Sequence, residues 1–480
     1  MSKEREKSEI SRRAFLKTGV GTTAAGFAAL SGFAEIVPPR VLGANDRVRV
    51  AVIGLHGRGR DHIRELSGLA KSKNVEIAAL CDAYEPLIGE RQAQIEKMGQ
   101  PRPKGYQDLR KLFEDKSIDA VTIATPNHWH ALMTIWACQA GKDVYVEKPA
   151  AHNLFEGQQM VHAAEKYNRM VQHGTQIRSA VAIRNAMDKL HNGLIGDVYL
   201  ARGLCFKWRD TIGHAPPSAI PQGLDYNLWQ GPAPEHVFTK NRFLYNWHWF
   251  WWYGNGDIGN QGVHQIDVAR WGLGLKFPNK ISAIGGHFMF DDDQQTPNTL
   301  NCAFEYHIPN GKPKMIEFEV RHWMTNNEAE IGTPALGVPL PKRAPNAPKL
   351  GPLSGSHNTV GDIFYGSKGY MSMGDEDADT YRTWLGRNHE PGPTEHQGGS
   401  HFANFIDCVR SRRAKDLHAP IQEGVISAGL MQLANVSYRV GRTLHFDPET
   451  QKVIGDHEAN LLLRDGDRGY RAPFVVPKNV

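Results

Sequence analysis

The stretch Asp46–Asp82 limits the folds open to this chain more than any other. An apolar run, Val48-Arg49-Val50-Ala51-Val52-Ile53, ends in Gly54-Leu55-His56-Gly57-Arg58-Gly59. A helix-like segment follows from about Arg60 to Lys71, and a second apolar run, Val75–Cys81, ends on Asp82. Strand, glycine turn, helix and strand in that order belong to a wound α/β sheet. Glycines at such a turn let backbone N–H groups approach a pyrophosphate at the helix N-terminus. An acid at the tip of the second strand accepts hydrogen bonds from a ribose diol. The stretch therefore predicts dinucleotide binding. Asp82 favours NAD over NADP, because a carboxylate repels the 2′-phosphate. In the G-x-G-x-x-G spacing the middle position is His56, with Gly57 beside it, so the loop is expected to differ in shape.

The next hundred residues keep the alternation. Helices are predicted at Pro86–Met98, Gln107–Glu114, Trp129–Ala140 and Asn153–Lys166, and strands at Asp119–Thr125, Asp143–Glu147 and Met170–His173. This is a parallel, doubly wound sheet, in which ligands sit beyond the carboxyl ends of the strands. Asp82, Thr125-Pro126-Asn127 and Glu147-Lys148-Pro149 all occupy such ends.

After a helix at Ala180–Asn192 the texture changes. Val198–Trp208 reads as a strand, and a long aromatic segment runs from Thr211 to Trp252. Ile281–Phe290, Leu300–His307 and Met315–His322 alternate as antiparallel strands should. Thr325–Gly361, rich in Pro and Gly, is expected to be a long surface insertion. Asp362–Met373 reads as a hairpin, His401–Arg412 and Gln422–Gly441 as helices, and Thr443–Phe446 as a last short strand. The expected organisation is a leader over 1–44, a Rossmann domain over 45–175, and an α+β domain with a large open antiparallel sheet over 176–480. An open sheet of that size suits pairing of subunits, so a homo-oligomer is expected.

Charge narrows the partners. Of 56 Lys/Arg and 51 Asp/Glu, seven and four fall in residues 1–44, so the net charge of +5 drops to +2 beyond them. That balance argues against nucleic acid or an anionic membrane surface as a partner. The five cysteines are scattered without a C-x-x-C, which does not read as a disulfide framework. Ser11-Arg12-Arg13-Ala14-Phe15-Leu16-Lys17 is a twin-arginine pattern, followed by a mild apolar stretch from Thr18 to about Val37. It predicts export to the periplasm without a lasting membrane span, with cleavage after Ala34 or Ala44. The twin-arginine route carries folded proteins, so a cofactor loaded in the cytoplasm is expected to stay bound and be recycled within each turnover.

Four runs together resemble the Gfo/Idh/MocA oxidoreductases, which include glucose–fructose oxidoreductase and inositol dehydrogenase. They are Thr125–His130 (Thr-Pro-Asn-His-Trp-His), Gly141–Pro149 with its Glu-Lys-Pro end, Gly256–Trp271 and His401–Arg410. The resemblance implies chemistry on a sugar or cyclitol hydroxyl with a nicotinamide cofactor. It places cofactor contacts at Gly54, His56, Gly57, Arg58, Gly59, Asp82, Thr125, Pro126, Asn127, His130, Glu147 and Lys148. Lys148 matches the family's catalytic lysine, which holds the reacting hydroxyl and relays its proton. His264 matches the histidine that accepts that proton. Four residues earlier the family usually carries Asp, where this chain has Asn260. Asp257, one turn before, is a candidate to compensate. Asp267 is expected to orient the His264 imidazole or to cap local structure.

Other features carry less. Within Tyr245–Trp252 the aromatics serve packing, with Trp247 or His248 near the cleft as a stacking wall for a sugar. Arg178 and Arg184 read as solvated helix charges with some reach toward substrate. The His128/His130 pair lacks a third ligand at a metal-site spacing, so no metal is expected. Two activities fit: oxidation of a sugar or cyclitol hydroxyl with bound NAD, or glycoside hydrolysis or elimination through transient oxidation and re-reduction of the sugar.

Overall fold

The structure is a computed structural model that describes residues 47–332, 358–374, 379–464 and 469–480. The twin-arginine pattern and most of the expected insertion lie outside the described residues.

Six parallel strands form the first sheet. They are β1 (Val48–Ile53), β2 (Val75–Cys81), β3 (Lys104–Tyr106), β4 (Ala120–Ile123), β5 (Asp143–Val146) and β6 (Val171–His173), in the order β3-β2-β1-β4-β5-β6. Between them run α1 (Arg58–Leu69), α2 (Glu85–Lys97), α3 (Leu109–Glu114), α4 (Asn127–Gln139) and α5 (Leu154–Lys166). The two-residue side-chain period of β1 explains its burial on both faces. Val48, Val50 and Val52 pack with Ile63 and Leu66 of α1, whereas Ala51 and Ile53 face Leu132 and Ile135 of α4. β2 slips by one residue against β1, since Val50 pairs with Ile77 but Ala51 with Ala79. The slip returns Leu80 to the face of Val75 and Ile77, and Asp82 follows in that phase.

After α6 (Val181–His191) the chain enters a second sheet of eleven strands. Its long members are β7 (Val198–Lys207), β8 (Lys280–Gly286), β9 (Thr299–Tyr306), β10 (Lys314–His322), β11 (Thr359–Gly366), β12 (Gly369–Met373) and β13 (Thr380–Leu385). Four short ones, β14 (Glu390–Pro391), β15 (Glu395–His396), β16 (Leu444–Asp447) and β17 (Lys452–Val453), extend its edges. The sheet is mostly antiparallel, as the alternation predicts, with one exception. β7 lies between β10 and β11, parallel to the first and antiparallel to the second. The long connection after β7, which includes α7 (Tyr226–Gln230), supplies the crossover that parallel pairing needs.

Helix α8 (Val263–Leu273) lies on this sheet, and α10 (Ile421–Val440) packs against α5, α8 and β8. Helix α9 (His401–Ser411) returns to the first sheet. Its Phe402, Phe405 and Ile406 close the core over Val48, Val50 and Val52. A helix from the C-terminal residues thus completes the core of the Rossmann half. The short strands β3, β13, β14 and β15 were not evident in the sequence, being too short or too polar to show a period. All five cysteines are free and buried. No described helix is long and apolar enough to cross a membrane.

Candidate active site

The glycine loop is built by contact between its first and last glycines. A Cβ on Gly59 would lie 1.9 Å from the Gly54 carbonyl oxygen, and one on Gly54 would lie 2.6 Å from Ala124 O. Gly54 also has φ of 84°, a left-handed value that suits glycine. Strand and helix can approach this closely only without side chains. Gly57 caps α1 with φ of 48°, and a Cβ there would meet nothing within 4 Å. The open space that the middle glycine normally provides is thus found at Gly57. The His56 side chain is exposed at the mouth of the cleft.

Asp82 closes the loop from the side. Its Oδ2 accepts from Leu55 N at 2.7 Å and its Oδ1 from Tyr84 N at 2.9 Å. Burial pushes its carboxyl up to about 6, against the opposing pull of those two amides. Thr125 and Pro126 line the same cleft beyond β4, and Glu147 and Lys148 beyond β5. Open backbone at a helix N-terminus, an acid at the second strand end and a cleft along both fit a dinucleotide.

Two expected contacts stand behind the cleft instead. Asn127 is buried and donates from Nδ2 to Asn255 Oδ1 at 2.9 Å. The His130 ring spans Pro149 O at 2.7 Å and Thr125 O at 2.8 Å, which ties the two strand-end loops together. Neither lines the cleft, because α4 turns both inward. His128, likewise buried, bonds Trp229 O at 3.1 Å. Among the described residues no group of three His, Cys, Asp or Glu is placed to hold a metal.

Glu147 is the electrostatic centre of the floor. Its Oε1 accepts from Arg58 Nε at 2.8 Å and Gln176 Nε2 at 3.0 Å, and meets His62 Nε2 at 3.0 Å. Arg58 and His62 hold the carboxylate well below its ordinary range despite its burial. Arg58, at the first turn of α1, borders both this cleft and a second, polar cavity beside it.

Lys148 and Asn260 meet where the two halves of the chain join. A π-helical turn, Ile258–Gly262, runs straight into α8. Such a turn frees carbonyls that an α-helix would use internally. Lys148 Nζ donates to the Asn260 main-chain oxygen and lies 3.3 Å from its Oδ1. Burial, the largest influence, lowers the Lys148 ammonium to about 8, and Lys207 and Arg58 act in the same direction. Asn260 Nδ2 donates in turn to Asp257 Oδ1 at 3.1 Å. Asp257 does not take over as a base in the cleft. It is fully buried and bound by Arg209 at 2.6 Å and His322 at 2.8 Å. An amide at position 260 suits that neighbour, because it can donate where a carboxylate would repel.

His264, on the first turn of α8, lines the second cavity with Lys207, Gln176 and Asp362. Its Nδ1 is buried without a hydrogen-bond partner. Burial and the nearby Lys148 charge hold its pKa well below the usual histidine value, so the imidazole is neutral.

Asp267 neither orients His264 nor caps the helix. It is buried and binds Arg178 through both oxygens, at 2.7 and 2.9 Å, and accepts from Ser427 Oγ at 2.6 Å. Arg178 is accordingly a buried structural cation and not a solvated one, while Arg184 lies 3.2 Å from His418 Nε2. Trp247 and His248 stack at 3.6 Å and line the first cleft on the side of Lys148. Lys207 and Asp362 escaped the sequence reading. The only hint of either was a charge interrupting an otherwise apolar strand.

The comparisons agree with this geometry. Residues 48–175 match a family model described as "Oxidoreductase family, NAD-binding Rossmann fold". Residues 182–298 and 391–474 match one described as "Oxidoreductase family, C-terminal alpha/beta domain". A glycosyl hydrolase family 109 protein of Shewanella baltica (strain OS185) is 36% identical over 175 residues, 33% of this chain and 37% of that protein. The chain thus spans little more than a third of that curated relative. A family 109 protein of Saccharopolyspora erythraea is 26% identical over 427 residues, 82% of this chain and 84% of its own length. The WlbA dehydrogenase of Bordetella pertussis, solved with NADH and UDP-GlcNAcA, superposes with a TM-score of 0.58 at 17% identity, covering 84% of this chain and 99% of that one. At that identity the likeness shows the fold alone. The chain belongs to the Gfo/Idh/MocA oxidoreductase family, with an NAD-binding Rossmann half joined to the family's C-terminal α/β domain.

Proposed function

We propose that this protein oxidises a sugar or cyclitol hydroxyl, with Lys148 and His264 as its acid–base pair. The observation that carries this reading is their placement. The Lys148 ammonium stands at the end of the dinucleotide cleft, and the neutral His264 imidazole lines the polar cavity next to it. Bound NAD would accept and return the hydride; Gly54, Gly57, Gly59, Arg58 and Asp82 are the residues that would hold it. Lys148 holds the hydroxyl oxygen through its N–H groups and relays its proton. His264 accepts that proton as the C–H bond on the same carbon is broken. Asn260 positions Lys148 through its carbonyl. Trp247 presents an apolar face to a sugar ring.

A second reading is favoured by the family 109 relatives, which are named as glycosyl hydrolases. A ketone at one ring carbon acidifies the adjacent C–H. Loss of that proton expels the glycosidic oxygen with its electron pair, water adds to the resulting double bond, and reduction restores the hydroxyl. The residues at the oxidised carbon are the same in both readings.

The export signal Ser11–Lys17 supports a periplasmic site of action with the cofactor retained through turnover. Exposed Ile284, on the face of the second sheet turned away from α8, supports a homo-oligomer through that face.

The test uses exported protein. Its bound nucleotide is followed by absorbance while sugars and aryl glycosides are offered. Reduction that persists until a carbonyl compound is added marks an oxidoreductase with two substrates. Aglycone release without net reduction marks the hydrolase. Protein that neither carries nor takes up a nicotinamide sinks both readings.

A further inference from the structure

We propose that Asp362 is a specificity-determining residue of the sugar site, bonding a hydroxyl of the sugar that lies against His264. The inference rests on the sugar-site reading above. Asp362 lies on β11, 2% exposed, in the wall of the cavity that His264 also lines. Its Oδ1 is buried and has no hydrogen-bond partner. Buried carboxyl oxygens are rarely left so, because the loss of water is costly. Among the described residues no cation bonds it: Lys207, on the same cavity, is held by Gln261 Oε1 at 2.5 Å.

The strand beside this group is closely packed. Asp362 pairs in register with Gly203 on β7. A Cβ on Gly203 would lie 3.4 Å from Asp362 Oδ1, 3.0 Å from Gln265 Cβ and 2.9 Å from the Phe318 ring. Glycine thus lets Gln265 of α8 and Phe318 pack close to the strand beside the carboxyl. Burial, with the Asp267 charge beyond, pushes the carboxyl well above its ordinary range. A neutral carboxyl carries an O–H donor and a carbonyl acceptor. A sugar hydroxyl needs both, and a neutral sugar brings no charge that would call for a salt bridge. An oxygen kept only for packing would be replaced by an apolar group without loss.

The experiment compares wild type with Asp362→Leu and Asp362→Ser in the full, NAD-loaded protein. Binding of glucose, galactose and their monodeoxy analogues is measured by calorimetry, which needs no turnover. The expected result is about tenfold weaker binding of one parent sugar by both variants. One deoxy analogue should then bind wild type and variants alike, because its missing hydroxyl is the one Asp362 holds. Equal affinity of wild type and variants for every parent sugar overturns the proposal, as does a gap that no deoxy analogue removes. If Asp362→Leu fails to fold, Asp362→Ser gives the same comparison. Sugar binding without any hydride transfer sinks the redox reading and leaves this test standing, whereas wild type that binds no sugar overturns both.

Discussion

Lys148 Nζ is bonded to the main-chain oxygen of Asn260, and the Asn260 amide stands 3.3 Å from the same nitrogen through Oδ1. The two halves of the chain thus meet at the ammonium, in the wall of the dinucleotide cleft. The bond joins the end of β5 to a π-helical turn, so relative movement of the halves would disturb Lys148 directly.

The Lys148 pKa of about 8 sets an alkaline limit. On the proposed mechanism, the ammonium that would hold the hydroxyl is present below that value and lost above it, while His264 is already neutral at lower pH. kcat/KM for sugar oxidation should fall as pH rises through about 8. A flat profile between roughly pH 6 and 9 would show that the charged lysine is not required.

Asn260→Asp should move that limit upward. A carboxylate beside Lys148 favours its charged form, so the alkaline limb should shift toward higher pH. The same change replaces the Nδ2 donor to Asp257 by a like charge, and the variant should melt below wild type. An unshifted limb would place the titrating group elsewhere.

NAD affinity should depend on Asp82. Its carboxyl is raised to about 6, and the ionised form is the one proposed to hold the ribose diol. Affinity should reach its full value about one unit above pH 6 and fall about tenfold per pH unit well below it. Asp82→Asn should remove this dependence. Equilibrium titration with NAD between pH 4.5 and 8, as a roughly chosen window, measures both.

Asp267→Ala should act on stability before activity. Removing the carboxylate leaves Arg178 buried without its two bonds, at a cost of about 3–5 kcal/mol. The Asp267 carboxyl is depressed by Arg178, so its contribution is complete above the unfolded carboxylate range and is lost as pH falls below it. Denaturant unfolding at neutral pH reads the loss. Wild-type stability with abolished turnover would instead support the expected role of Asp267 in orienting His264.

The sequence by itself determined the Rossmann half, because its signals are local. The apolar runs of β1, β2, β4 and β5 and the helices between them follow side-chain periods of two and 3.6 residues. Gly54, Gly59 and Asp82 also depend on short-range geometry, and Lys148 and His264 stood out within contiguous motifs. Tertiary structure decided what distant segments do to one another. It sent Asn127 and His130 behind the cleft and gave Asp267 to Arg178, 89 residues away in the chain. It brought α9 back over β1 and set Asp362 opposite Gly203 under α8. Burial and partnership are long-range quantities. A side chain's charge, exposure and role follow from neighbours that no local period or spacing can name.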